Sequence, residues 1–512
     1  MQGTKKALFV GGLLLAIIGN VQAEALKPDP AWQQGKLDNG FAWQLLTTPQ
    51  RPGDRVELRL VVNAGSLLEN AQQVGFAHFL SRLALVSGET SSTAQIPSLW
   101  GPEANRAREL PPAMVSYDFT SYNLSLPNNR PELLKDALTW LAERAGLMTF
   151  DEKNLQAALK VTKLVGTFPS NPQDPSWRYR LKGSPLLAHD PAQDVKPPLN
   201  GEQLQQFYKT WYTPDAMTLY IVGHVDSRSV IEQIAKAFST LEGKRKAPAP
   251  VPTLGPLPSQ PISLMNDRVR QDTLSLIWDA PWHPIHESQA LMRYWLGDIA
   301  REAMFWRLQQ ALENSPLKGN NLRFDCNVFY SRSQCAIHLD VPNNESVESG
   351  VTFMARELAM LREKGLTQPE FDTLIARKTD ELNKLFATYA RTSTDILMEQ
   401  RLRSQQNGVV DIAPEQYQTL RRHYLSTLTL AMLNQELHQQ LVQDTSLMLI
   451  QQPGEPEVNM AALLETYNRT MAPPTEPVSD ISAALDGTNS PAPPKAPKAP
   501  EGATIQETVP AQ

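Results

Sequence analysis

Three residues in the stretch GFAHFLSRLALVSG, Gly75 to Gly88, are spaced to share one face of a helix: His78, Ser81 and Arg82. Apolar residues at Phe76, Phe79, Leu80, Leu83 and Val86 predict that helix, and the two glycines bracket it. On such a face, ligands at i and i+4 can both reach one metal ion, with a base at i+3 beside them. His78 could be the first ligand. Ser81 cannot serve as a carboxylate base, and Arg82 has no lone pair to give a metal. A guanidinium about 4 Å from a zinc ion, at an effective dielectric of about 20, costs on the order of 8 kcal/mol. That would erase most of a typical structural zinc affinity. His78 is then either a packed, hydrogen-bonded histidine or the remnant of a metal site. Arg82 is expected to pair with a carboxylate that the sequence does not identify, or else to fill the space and charge of a lost metal.

Other chemistry is sparse. HPIHE, His283 to Glu287, resembles a metal cluster, but it contains Pro284, follows a predicted strand and opens a predicted helix, with no third ligand placed nearby. No glycine-rich phosphate loop and no G-x-S-x-G nucleophile turn occur. The two cysteines, Cys326 and Cys335, lie in NLRFDCNVF and QCAIHLDV, which read as strands joined through YSRS. A turn centred between Tyr330 and Ser331 would set them opposite each other, within disulfide range if the compartment is oxidising.

These residues sit in a chain of 512 with a formal net charge of −6. That balance gives no electrostatic reason to expect nucleic acid or an anionic membrane surface. Lys5 and Lys6, an apolar run from Ala7 to Ile18 and small residues at Ala23 and Ala25 form the pattern of a cleaved export signal. Cleavage after Ala23 or after Ala25 fits; an uncleaved anchor is the alternative. The run is short for a bilayer span, and no other segment approaches one, so the mature protein is expected to be soluble and, in a bacterium, periplasmic.

Two proline-rich stretches divide the rest. Lys244 to Pro258 reads as a linker, and Met471 to Gln512 as a tail unable to order itself. The expected units are a signal over 1–23, lobes over 26–243 and 259–470, the linker 244–258 and the tail 471–512. Both lobes run strand, strand, helix, strand pair, long helices, strand, an internal α+β repeat. In the first lobe the two helices after the strand pair are expected over Pro131 to Leu147 and Asp151 to Val165.

Six stretches in this order resemble the pitrilysin/insulinase (inverzincin) family of zinc metallopeptidases: LDNGFAWQLL, VELRLVVNAGSLLEN, GFAHFLSRLALVSG, AMVSYDFTSYNLSLP, LQQFYKTWYTPDAMTLYIVGHVD and ELAMLREKGLTQPEFDTLIARKTDEL. The resemblance implies two homologous α/β rolls. It implies an H-x-x-E-H zinc helix, of which His78 remains while Ser81 and Arg82 stand at the Glu and second-His positions. The family's third ligand, a Glu about 75 residues on, would fall among Ala158, Leu159 and Lys163, none of them acidic; Glu152 comes too early. Active members run an extended peptide along an edge strand after an Asn-Ala pair. Here Pro112 replaces the Asn, and Ala113, Met114, Val115 and Ser116 form the corresponding edge, still open to strand addition. QQALENSPLKGNNL has no clear equivalent of the Arg and Tyr that the second half of active members contributes. The resemblance therefore implies an exported peptidase relative with a degenerate centre and no cofactor. It would bind peptide or unfolded polypeptide, or partner an active relative or a second copy. The alternative is a working zinc peptidase with a site not recognised in the sequence.

Overall fold

A computed structural model of the chain describes residues 24–49, 55–87, 110–161, 164–342 and 345–472. The expected signal, most of the expected tail, Gly88 and Lys163 lie outside these residues. Two mixed sheets organise the molecule, one per lobe.

The first sheet uses β1 (Trp32–Lys36), β2 (Ala42–Thr47), β3 (Val56–Val62), β4 (Ala113–Val115), β5 (Thr120–Leu126), β6 (Val165–Thr167) and β7 (Met217–Gly223). Their spatial order is β1-β2-β7-β3-β5-β4-β6. The second sheet uses β8 (Ile262–Met265), β9 (Asp272–Pro281), β10 (Leu322–Phe329), β11 (Arg332–Val341) and β12 (Ser446–Gln451), in the order β10-β11-β9-β12-β8. Read from the opposite edge, the second sheet repeats the core of the first. Within this shared core the first strand pairs in parallel with the last (β2 with β7, β8 with β12), and every other pair is antiparallel. The repeat read from the order of elements is therefore a repeat of topology. What the first sheet adds is one strand at each edge, β1 and β6.

Alternation along the strands gives each sheet two apolar faces. One face of the first sheet packs under α1 (Phe76–Val86), α2 (Pro131–Gly146) and neighbouring helices around Leu58, Leu60, Leu219 and Ile221. Its other face, with Leu46, Tyr220 and Val222, is covered by Leu397 and Met398 of a helix over Thr394–Asn407 that belongs to the second half of the chain. The second sheet returns the exchange: Ile277, Ala336 and Met448 are covered by Tyr179, from the helix Pro175–Arg180 of the first half, and by Leu257.

Two further segments tie the lobes. The stretch 244–258 holds no helix or strand, as its prolines predict, but it is not a free linker. Leu254 and Leu257 are buried, Gly255 O accepts from Arg180 Nη1 at 2.8 Å, and the Leu257 N–H donates to Asp279 Oδ2 at 2.7 Å. At the other end of the described chain, Ala25 forms an antiparallel bridge with Glu287. The Leu26 N–H donates to His286 O at 2.8 Å, and Glu24 O accepts from the Ser288 N–H at 2.9 Å. Leu26 itself is buried in the core of the second lobe, while β1, six residues on, joins the first sheet. No helix among the described residues is long and apolar enough to cross a membrane.

The β10–β11 hairpin sets Cys326 directly opposite Cys335, and the two are joined in a disulfide. Tyr330 and Ser331 form the turn, both with positive φ (46° and 66°), the conformation a two-residue turn needs to match the twist of its strands. Its tip reaches the first lobe, where Tyr330 Oη lies 3.2 Å from Ser116 Oγ and the Phe329 ring meets Trp177 at 5.2 Å.

Candidate functional site

Helix α1 begins at Phe76, where Gly75 takes a left-handed conformation (φ 86°). A Cβ at Gly75 would also come within 2.6 Å of the Asp194 carbonyl carbon, so glycine is required by strain and by space. Glu69 caps the start of the helix from outside it: its Oε2 accepts from the Gly75 N–H at 2.9 Å and its Oε1 from the Ala77 N–H at 2.7 Å. Burial pushes the Glu69 carboxyl up to about 8, and these two backbone bonds pull the other way.

His78, Ser81 and Arg82 lie along this helix as their spacing predicts, but they form no metal-ligand set. Ser81 is fully buried and its hydroxyl donates to Ala77 O at 3.0 Å, so it is spent within its own helix. Arg82 turns toward His78, with Nη2 3.3 Å from Nδ1, and pairs with the Asp194 carboxylate. A guanidinium can only donate, so in this contact Nδ1 accepts, which assigns the ring proton to Nε2. Asp194 Oδ1 is also 3.4 Å from His78 Nδ1, placed to pair with the ring when it is protonated. Burial holds the His78 pKa below its ordinary 6.5, the Arg82 charge lowers it further, and Asp194 opposes both. The side chains of His78 and Arg82 are 11% and 9% exposed; that of Asp194 is 64% exposed. The two basic side chains are thus nearly buried and the acid is largely exposed.

The third-ligand region also differs from expectation. Instead of one helix from Asp151 to Val165 there is α3 (Glu152–Leu159), capped by the Asp151 side chain on the Asn154 N–H, and then β6. Helix α3 packs on α1. Ala158 is fully buried and Leu159 is 43% exposed, and neither can bind a cation. His283 and His286 of HPIHE are exposed. Among the described residues no three His, Cys, Asp or Glu side chains are grouped to hold a metal. The described residues around His78 do not fit a zinc ion.

The expected peptide edge is corrected by the pairing. Ala113, Met114 and Val115 are flanked on the outer side by β6, in parallel register with Val165, Gly166 and Thr167. Val115 O accepts from the Phe168 N–H at 2.8 Å. Ser116 donates its N–H to Phe119 O, and its carbonyl accepts from the Ser66 N–H. The edge from Ala113 to Ser116 is thus filled by the chain itself, because the early end of α3 frees residues 165–167 to pair.

The fold and the zinc-helix position together define a peptidase-type scaffold. Two family models match in sequence: Insulinase (Peptidase family M16) over residues 45–180, and Peptidase M16 inactive domain over residues 198–378. The chain belongs to the insulinase family, peptidase family M16. It is 56% identical over 487 residues to Protein YhjJ of Escherichia coli (strain K12), a match covering 95% of this chain and 97% of that one. A solved structure titled as a predicted insulinase family protease from Yersinia pestis is 63% identical, with a TM-score of 0.85 over 91% of this chain and 100% of that one. The first half of the periplasmic protease PqqL from Escherichia coli shares the fold at 21% identity and a TM-score of 0.75, over 87% of this chain and 98% of that structure. The curated sequence described as probable zinc protease PqqL from the same organism is matched over 46% of its length, so the chain corresponds to about half of it.

Sequence reasoning missed Asp194, Glu69 and the strand at 165–167. Asp194 stands 112 residues from Arg82 with no local pattern to announce it. Glu69 was within reach of inference: an acid shortly before a helix start is a capping signal.

Proposed function

We propose that this chain is an exported, non-hydrolytic member of the M16 family that holds polypeptide or supports a partner subunit. The observation that carries the reading is the Arg82 guanidinium, which occupies the His78 lone pair and is itself neutralised by Asp194. A zinc ion at His78 would have to displace a cation that cannot lose its charge. The base position is closed by Ser81 and the third-ligand region offers Ala158 and Leu159.

Export is supported by the amino-terminal pattern and by the periplasmic description of the PqqL structure. Leader removal after Ala23 suits the fold best, since Glu24 and Ala25 both hold backbone contacts on the second lobe. A partner role is supported only by the likeness to one half of the larger PqqL protease. The test has two parts. A quenched-fluorescence peptide library, incubated with the purified mature chain, should show no cleavage that a zinc chelator abolishes. A carboxymethylated, permanently unfolded protein should bind in the same buffer, read by fluorescence anisotropy. Chelator-sensitive cleavage would overturn the reading in favour of a working zinc peptidase.

A further inference from the structure

We propose that Arg82, with His78 beside it, is a carboxylate-binding site, filled in the free chain by Asp194 and built to take a carboxylate of bound polypeptide. The inference rests on the polypeptide-binding reading for its ligand, but not for its chemistry. A buried guanidinium stays charged and needs an anion. The partners of Arg82 are His78 and Asp194, and Asp194 supplies the charge from a side chain that is 64% exposed. The anion is therefore the accessible member of the pair.

The support beneath it is fixed. The backbone of Gln193, Asp194 and Val195 lies against Gly75, close enough that a Cβ there would clash with all three residues. Only the Asp194 side chain needs to rotate to vacate the site, and it rotates into water that already reaches it. An incoming carboxylate then replaces one carboxylate with another. No buried charge is left uncompensated, because the displaced Asp194 carboxylate moves into water, and the Arg82 guanidinium donates to either carboxylate. His78 contributes by accepting from Arg82, which holds the fork in place; Ser81, bonded to Ala77 O, does not compete. Two carboxylates can come from a polypeptide, the C-terminus and an Asp or Glu side chain, and paired probes separate them.

The experiment uses the mature full-length chain, its Asp194→Ala variant and an Asp194→Ala/Arg82→Gln variant. Removing the resident carboxylate should leave a cation that acetate can rescue. Sodium acetate in the tens of millimolar should raise the Tm of Asp194→Ala above that in equal sodium chloride, and should do nothing for the double variant. A fluorescein-labelled decapeptide without acidic side chains is compared as free acid and as C-terminal amide, and a third probe is the amide with one internal Glu. Asp194→Ala should bind the free acid about tenfold more tightly than the amide, the low end of what a charge-assisted hydrogen bond contributes. The internal-Glu probe should bind as tightly only if side-chain carboxylates are also taken. Acid and amide binding alike, with no acetate effect, would overturn the site. Acetate rescue with no peptide bound in any form would sustain the carboxylate site and instead defeat the polypeptide-binding function. If the double variant does not fold, the acetate response of Asp194→Ala alone decides.

Discussion

Arg82 Nη2 stands 3.3 Å from His78 Nδ1, one helical turn along α1, and the arginine's charge is met by Asp194. One of the two ring nitrogens that could bind a metal thus accepts a hydrogen bond from a cation. Restoring the lost residues one at a time cannot reverse this. Arg82→His frees Nδ1 but leaves Ala158 and Leu159 where a third ligand is needed. The Ser81→Glu/Arg82→His double variant is expected to bind zinc no more tightly than a surface His pair, and Ala158→Glu must be added before a titration shows one tight site. Stoichiometric zinc in the double variant would show that the third ligand comes from elsewhere.

Glu69 ties the stability of α1 to pH. Its carboxyl is raised from 4.5 to about 8 by burial. A group with a raised folded-state pKa keeps its proton in the fold after the unfolded chain has lost it. The contribution of Glu69 is therefore fully present below about pH 4.5 and is lost as pH rises toward 8. Urea unfolding of the wild type should show stability falling across that window from this group, and Glu69→Gln should flatten the slope. The Gln amide also presents N–H to a backbone donor, so at pH 5 the variant should be less stable by about 1–3 kcal/mol. An unchanged slope would mean that Glu69 is ionised throughout.

The mature chain is expected to start at Glu24. Leu26 is buried in the core of the second lobe and its N–H is bonded to His286 O. Cleavage after Ala25 would turn that N–H into a buried ammonium and remove the bridge to Glu287. The intact mass of the exported protein should match residues 24–512, and Leu26→Asp should cost about 2–3 kcal/mol. A mass matching residues 26–512 would contradict the docking.

The lobes should unfold together. Each covers one face of the other's sheet, through Leu397 and Met398 in one direction and Tyr179 in the other. A single calorimetric transition is expected for the full chain. Met398→Ala, at a fully buried position, should lower stability by about 2–4 kcal/mol without splitting the transition. Two separate transitions in the wild type would show the lobes to be independent.

The hairpin that carries Tyr330 should be closed in the exported protein. Cys326 and Cys335 are register partners and are joined in a disulfide. Denatured, unreduced protein should contain no titratable thiol. Two thiols per chain would place the mature protein in a reducing compartment.

Local pattern revealed what local physics decides. The apolar spacing of Phe76, Phe79, Leu80 and Leu83 placed α1, and the order of elements disclosed two repeats that the five-stranded core common to both sheets reproduces. The turn at Tyr330–Ser331 falls midway between Cys326 and Cys335, where setting the two cysteines opposite each other requires it. What stayed hidden depends on distant packing. Nothing near Val165 indicates that α3 ends at Leu159 and lets 165–167 fill the outer edge of β4. Nothing near Asp194 names it as the partner of Arg82. The prolines of 244–258 forbade helix and strand but said nothing about Leu254 and Leu257 docking.

The most direct test is the metal content of the native protein. The chain, purified without added metal or chelator, is subjected to elemental analysis beside His78→Ala, and both are assayed for peptide hydrolysis. With Arg82 on the His78 lone pair, the wild type should carry no stoichiometric zinc, and the two proteins should be indistinguishable in metal and in turnover. About one zinc per wild-type chain, lost together with hydrolysis in His78→Ala, would contradict this and make the chain a working metallopeptidase.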